Sequence, residues 1–314
     1  MSGAPGDVRR GGDYHRPMTA NDSRALADAL RGIRAFVLDA DGVLVLKSRP
    51  LPGSMEALAA LAARGYPFRI VTNFSLAHRT TLAARFAEGG PSPIRPELII
   101  TAASAAAAHT ARAFPGGRLL VLGSPDALRE WDGQTLVSPA DADDPGTRVD
   151  AVVIGDAGDE LTFRAMDVAF RRIRAGAAFI AMHLNLWWLT LKGPTLDSGA
   201  LVLGLEAATG RRAIVAGKPS PVVFRQALRE LRDEVVRRDP GAHRLRADEV
   251  AMVGDDPVAD IAAARRVGLA GVLVLTGKTT AADLDPGLPD GRRALRADAV
   301  AADLAAVVAA LPRR

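Results

Sequence analysis

Four short runs rich in β-branched residues each stop on a cluster of functional groups, and this feature limits the fold most. They are Phe36-Val-Leu-Asp39-Ala-Asp41-Gly42, Arg69-Ile-Val-Thr72-Asn73, Ile214-Val-Ala-Gly217-Lys218-Pro219 and Ala251-Met-Val-Gly254-Asp255-Asp256. Each reads as a buried β-strand followed by a turn. Open α/β sheets bind ligands in the crevice beyond the carboxyl ends of their strands. Acids, a hydroxyl, an amide and a lysine at four strand ends therefore predict one shared site. Lys218 stands out because the chain is arginine-rich and its only lysines are Lys47, Lys192, Lys218 and Lys278.

The rest of the chain alternates in the same way. Leu98-Ile-Ile and Val272-Leu-Val-Leu add strand-like runs, and Ser54 to Arg64 and Pro221 to Val236 read as helices between them. In the second of these, Phe224, Leu228, Leu231 and Val235 recur at helical spacing. Alternation of this kind predicts parallel βαβ units in a doubly wound, Rossmann-like α/β sheet. The stretch from about Gly116 to Arg212 carries a second set, with Leu119-Leu-Val-Leu, Val149 to Ile154 and Ala178-Phe-Ile-Ala as strands. Its helix, Thr162 to Arg174, places Phe163, Met166, Phe170 and Ile173 on one face. The expected organisation is a flexible tail over 1–30, a core over 31–113 and 212–314, and a smaller α/β domain inserted over 114–211.

Composition removes several classes. With no cysteine, disulfides, thiolate metal sites and cysteine nucleophiles are excluded. No apolar run reaches the roughly 18 residues of a membrane span. Residues Met1 to Pro17 are rich in glycine and arginine and lack the apolar segment of a signal peptide. The cytoplasm is the expected compartment. The net charge of +4 is spread among mixed charges, with no dense basic block and few aromatics for base stacking, so neither nucleic acid nor membrane is an expected partner.

The strand-end residues suggest specific chemistry. Asp39 and Asp41, two apart, could divide the roles of nucleophile and general acid/base in phosphoryl transfer. An EF-hand reading fails, since its sixth position would be Leu44 and its twelfth Pro50. Thr72 and Asn73 precede a helix and suit an anion, although Thr-Asn before a helix also serves as a cap. Lys218 offers a point charge against phosphate oxygens, with Pro219 expected in the first turn of the following helix. A phosphate-binding P-loop fits neither there nor at Gly277-Lys278-Thr279, where the glycine spacing is wrong. Asp255 and Asp256 end an apolar strand and, with Asp39, supply hard oxygen ligands suited to Mg²⁺. Asp260, about one turn further on, would orient the site from behind.

Taken together, the order and placement of these segments resemble the haloacid dehalogenase superfamily, over roughly residues 33 to 280. An extra domain between Asn73 and Lys218 is the superfamily's class II cap placement. Leu51-Pro-Gly, Val71-Thr-Asn-Phe-Ser75, Ile100-Thr-Ala-Ala-Ser104, Leu205-Glu-Ala-Ala-Thr-Gly210 and Gly217-Lys-Pro-Ser-Pro221 resemble the class IIA branch. That branch includes enzymes like 4-nitrophenyl-phosphatase, phosphoglycolate phosphatase and pyridoxal phosphatase. The resemblance implies a phosphatase for small-molecule phosphate esters, with Asp39 as nucleophile and Asp41 as general acid/base. It implies Mg²⁺ held by Asp39, the Asp41 main-chain carbonyl and Asp255, phosphate bound by Thr72 and Asn73, and charge neutralised by Lys218. It also places substrate selection in the inserted domain, at the loop after Ala181, with Trp188 and His183 facing the leaving group. Two departures are Phe74, where the branch often has asparagine, and Met182-His-Leu-Asn-Leu-Trp-Trp-Leu189, which lacks the branch's Thr-Asn-Pro-Asp. A phosphotransferase or mutase using the same adduct, a metabolite-binding protein on the same fold, and pairing of two copies through the inserted domain stay open.

Overall fold

The computed structural model describes residues 20–46, 49–88, 92–190, 193–284 and 297–312. The tail expected over Met1 to Pro17 lies outside the described residues. The flexible reading of 1–30 is corrected at its end, because Ala20–Ala29 is helical and Leu26 and Leu30 are buried.

Six parallel strands form the main sheet, in the spatial order Ala299–Ala301, Ala270–Val274, Val250–Gly254, Ala35–Asp39, Phe68–Thr72 and Ile99–Thr101. From the Asp39 strand the chain first builds outward through Thr72 and Thr101, then returns to build the opposite side from Gly254. The Asp39 strand is thus the point where the strand order reverses, and it lies between the Thr72 and Gly254 strands. Parallel pairing puts all three carboxyl ends on one edge of the sheet. The three strands are buried along their whole length, which accounts for their nearly continuous apolar runs.

Between Thr101 and Val250 the chain forms a second parallel sheet, ordered Ile214–Val215, Ala178–Ala181, Ala151–Ile154, Arg118–Leu122 and Thr135–Leu136. The expected return to the core at residue 212 is early by a strand, since Ile214–Val215 pairs with Ile180 and Ala181 of the second sheet. The helix that follows starts at Pro221, capped by the Ser220 hydroxyl on the Val222 N–H, so Pro221 and not Pro219 is its first-turn proline. The stretch after Ala181 is an antiparallel hairpin, Trp187–Thr190 with Gly193–Leu196, where a loop was expected.

One charged residue sits inside the main sheet. Arg69, in the middle of the Thr72 strand, is buried and reaches helix Pro221–Arg238, pairing with Glu230 at 2.9 Å and Glu234 at 2.5 Å. Burial alone would raise the Glu234 carboxyl, but Arg69 and Arg238 outweigh it and hold it below the usual glutamate range. A depressed folded-state value means that this contribution is complete above the ordinary value near 4.5 and is lost as the pH falls through the lower one. Glu234→Gln leaves a buried guanidinium with Glu230 as its remaining carboxylate. It should cost about 3 kcal/mol, the low end for a broken buried pair, read by urea unfolding at neutral pH. A loss under about 0.5 kcal/mol would show that the pair contributes little to this sheet.

Candidate active site

The Asp39 and Gly254 strand ends converge as the sheet order requires, and Lys218 joins them from beyond the last strand of the second sheet. Lys218 Nζ lies 2.6 Å from Asp39 Oδ1 and 2.8 Å from Asp260 Oδ1, with all three residues buried. Asp39 Oδ1 also accepts the Ala40 N–H at 2.7 Å, which fixes the carboxylate's orientation. Carboxylate oxygens of Asp39, Asp255 and Asp260 come within 4.8 Å of one another. Asp260, expected to act from behind the site, is thus a member of its innermost cluster. It extends from a π-helical turn, Pro257–Ala262, and its Oδ2 accepts the Asp256 N–H at 3.1 Å.

Three acids facing one ammonium create an electrostatic imbalance. Burial pushes the Asp39 carboxyl well up, Asp260 adds to the rise, and Lys218 opposes it. Burial likewise pushes Asp255 up to about 6, against the Lys278 N–H that it accepts. Lys218 is held above its ordinary value, because Asp260 and Asp39 more than offset its desolvation. Hard carboxylate oxygens gathered in excess of positive charge fit a small divalent cation such as Mg²⁺.

Close backbone approach makes this crowding possible. Gly42 has φ of 74°, a conformation that side chains avoid, and a Cβ there would overlap the Asp255 carboxylate. A Cβ at Gly277 would meet the same carboxylate. Thr276 Oγ1 donates to the Gly42 carbonyl and ties the two glycine turns together.

The other expected residues divide. Asp41 lies exposed beyond the strand, where desolvation by the surrounding protein still raises its carboxyl. With Thr72, Phe74, His183 and Trp188 it lines a cavity of about 180 Å³ between the two sheets' loops. The Asn73 carboxamide faces the same cavity but is committed to Lys218, accepting its N–H at 2.7 Å and donating to its carbonyl at 3.0 Å. Asn73 therefore fixes the lysine segment, and neither it nor Thr72 caps a helix, because the next one begins at Arg79 and is capped by His78. Asp256 caps the turn at Val258 and Ala259 through Oδ1 and holds Lys278 Nζ at 2.6 Å through Oδ2. Trp188 is 40% exposed and Trp187 61%, so neither packs a core; the third tryptophan, Trp131, does.

His183 lines the cavity but is only 2% exposed. Its Nδ1 accepts the Asn185 N–H, and its Nε2 lies 2.9 Å from Ser75 Oγ and 3.8 Å from Asp197. Burial lowers its pKa, with Asp197 opposing. The ring thus bridges the loop after Thr72 to the loop after Ala181. Sequence reasoning missed Ser75, Asp197 and the Thr276-Gly277-Lys278 turn. The last was findable as a further strand stopping on functional groups.

A sequence profile described as haloacid dehalogenase-like hydrolase matches residues 36–135, and a second, HAD-hydrolase-like, matches residues 215–307. The chain is 32% identical over 255 residues to haloacid dehalogenase-like hydrolase domain-containing protein 2 of Mus musculus, covering 81% of this chain and 89% of that one. Among solved structures, p-nitrophenyl phosphatase from Archaeoglobus fulgidus superposes with a TM-score of 0.76 at 29% identity, covering 89% of this chain and 99% of that one. Glycerol phosphate phosphatase from Mycobacterium tuberculosis, in complex with magnesium, gives 0.70 at 28%, covering 89% and 77%.

Proposed function

Because this chain is a phosphatase of the haloacid dehalogenase-like hydrolase family, we propose that it hydrolyses a small-molecule phosphate monoester through an aspartyl-phosphate on Asp39, with Mg²⁺ as cofactor. The observation that carries this reading is Lys218 Nζ held between Asp39 and Asp260 inside a buried cluster of three acids. The cluster suits a bound cation and a transferred phosphoryl group, and a binding role alone needs no second acid at Asp41 beside it.

Asp39 attacks phosphorus, its rotamer set by Lys218 and the Ala40 N–H. Asp41, facing the cavity, gives a proton to the departing alkoxide. It then takes one from the water that attacks the aspartyl-phosphate, and inorganic phosphate leaves. Lys218 offsets charge on Asp39 and on the transferred group. Thr72 and the loop main chain after it receive the phosphate oxygens, while Asn73 keeps Lys218 in register. Asp39, Asp255 and the Asp41 carbonyl would hold Mg²⁺, with Asp260 beside them, and the ion supplies Lewis-acid neutralisation of phosphoryl charge when bound. Screening the purified protein on a panel of phosphate esters, with and without Mg²⁺, tests the reading. Metal-dependent release of phosphate from some esters supports it, and inactivity on all of them counts against it.

Among the described hairpin side chains Trp188 reaches the cavity, and in this reading it meets the near part of the leaving group. Trp188→Ala should change relative kcat/KM among esters about tenfold, or 1.4 kcal/mol, and leave the metal requirement intact. An equal fall for every ester would make Trp188 a structural residue of the hairpin.

A further inference from the structure

The cavity holding Thr72, His183 and Trp188 is small for a whole ester. At about 180 Å³ it falls below the usual range of small-molecule sites, roughly 300–1,000 Å³. Beside it lies a second compartment of about 350 Å³ on the main-sheet side. The two share Asp41, Thr72 and Phe74. The proton donor to the leaving group thus stands at the junction, and a group departing beside Asp41 has the larger compartment open to it.

The walls of that compartment specify a chemistry. Val45, Pro50, Leu82 and Phe86 are apolar, and Phe74 forms the partition. Arg85 lies with its guanidinium carbon 5.7 Å from the centre of the Phe74 ring. Arg85 is exposed, and no carboxylate among the described residues lies within ion-pairing distance of it. Glu88, also a lining residue, comes three positions later, just past the end of the same helix. Among the described lining residues Arg85 is the one cation, set beside the acids Asp41 and Glu88, and an anion entering the compartment has Arg85 as its partner.

We propose that this compartment is the specificity subsite for the far end of the leaving group, and that it takes an apolar or aryl body ending in a carboxylate that Arg85 binds. The proposal rests on the phosphatase reading of the Asp39 site. It also gives Phe74 a role at the position where the resembled branch often has asparagine: the ring supplies an apolar partition and a platform for Arg85.

Non-hydrolysable ligands test the subsite apart from turnover. Binding of benzylphosphonate and 4-carboxybenzylphosphonate would be measured by calorimetry in Mg²⁺ for the wild type, Arg85→Met and Arg85→Glu. A charge-assisted contact should favour the carboxylated ligand about tenfold in the wild type. That preference should vanish in Arg85→Met, which keeps an apolar stem, and reverse in Arg85→Glu. The ratio of two ligands within one variant cancels general effects on folding or on the phosphate site. Equal binding of both ligands by the wild type, or a preference unchanged in both variants, overturns the subsite while leaving the phosphatase reading in place. Failure of both phosphonates and of inorganic phosphate to bind overturns the site assignment and this inference together.

Discussion

Asp39→Asn should reduce turnover of any good phosphate ester by about 10⁴-fold or more, the scale seen when a catalytic nucleophile is removed. Asparagine keeps the shape of the side chain and its bond from the Ala40 N–H, and Lys218 retains Asp260 at 2.8 Å. The fold should therefore survive, and circular dichroism and thermal unfolding would verify that. Because burial and Asp260 disfavour the charged Asp39 carboxylate, the variant should be at least as stable as the parent, which separates a chemical defect from a folding one. Substantial metal-dependent hydrolysis by folded Asp39→Asn would remove the covalent route.

Removing divalent metal should abolish activity, Mg²⁺ should restore it, and Ca²⁺ should not, since its longer and looser coordination misplaces the phosphate. A second readout avoids turnover. Mg²⁺ bound to the folded state alone raises Tm by mass action, and here it would also relieve repulsion among Asp39, Asp255 and Asp260. Millimolar Mg²⁺ should therefore raise the Tm of the wild type, and Asp255→Ala should lose most of that rise along with activity. Full activity after exhaustive chelation, or an equal rise in Asp255→Ala, would contradict the assignment of Asp255.

Much of the site was legible in the sequence because its groups stand at strand ends, and a parallel sheet brings such ends together whatever the intervening helices do. The approach of Asp39 to Asp255 follows in this way, and the second sheet is legible from its own apolar runs; Lys218 follows a strand of the second sheet and reaches Asp39 from there, its main chain held by Asn73. What escaped depended on tertiary pairing. Ile214–Val215 is two residues long and has no period of its own, so its partner across the sheet decided where it belongs. The hairpin at Trp187–Leu196 takes its register from cross-strand pairs such as Trp188 with Thr195, which no single segment displays. Helix Ala20–Ala29 follows a glycine-rich stretch and is fixed by packing of Leu26 and Leu30. The Asn73 carboxamide looks like a phosphate donor in sequence, and its commitment to Lys218 appears only when residues 145 positions apart meet. Asp260 belongs to the inner cluster for a reason spacing alone does not display, since it extends from a π-helical turn.

The central claim is that the phosphoryl group passes through Asp39. Rapid acid quenching during turnover of a good ester, followed by peptide mapping with mass spectrometry, reads this directly. The account predicts one phosphoryl group on the peptide carrying Asp39, formed within the first turnover, absent from Asp39→Asn, and both formed and lost more slowly in Asp41→Asn. Phosphate release at full rate with no adduct at any quench time, or an adduct on a residue other than Asp39, would contradict it.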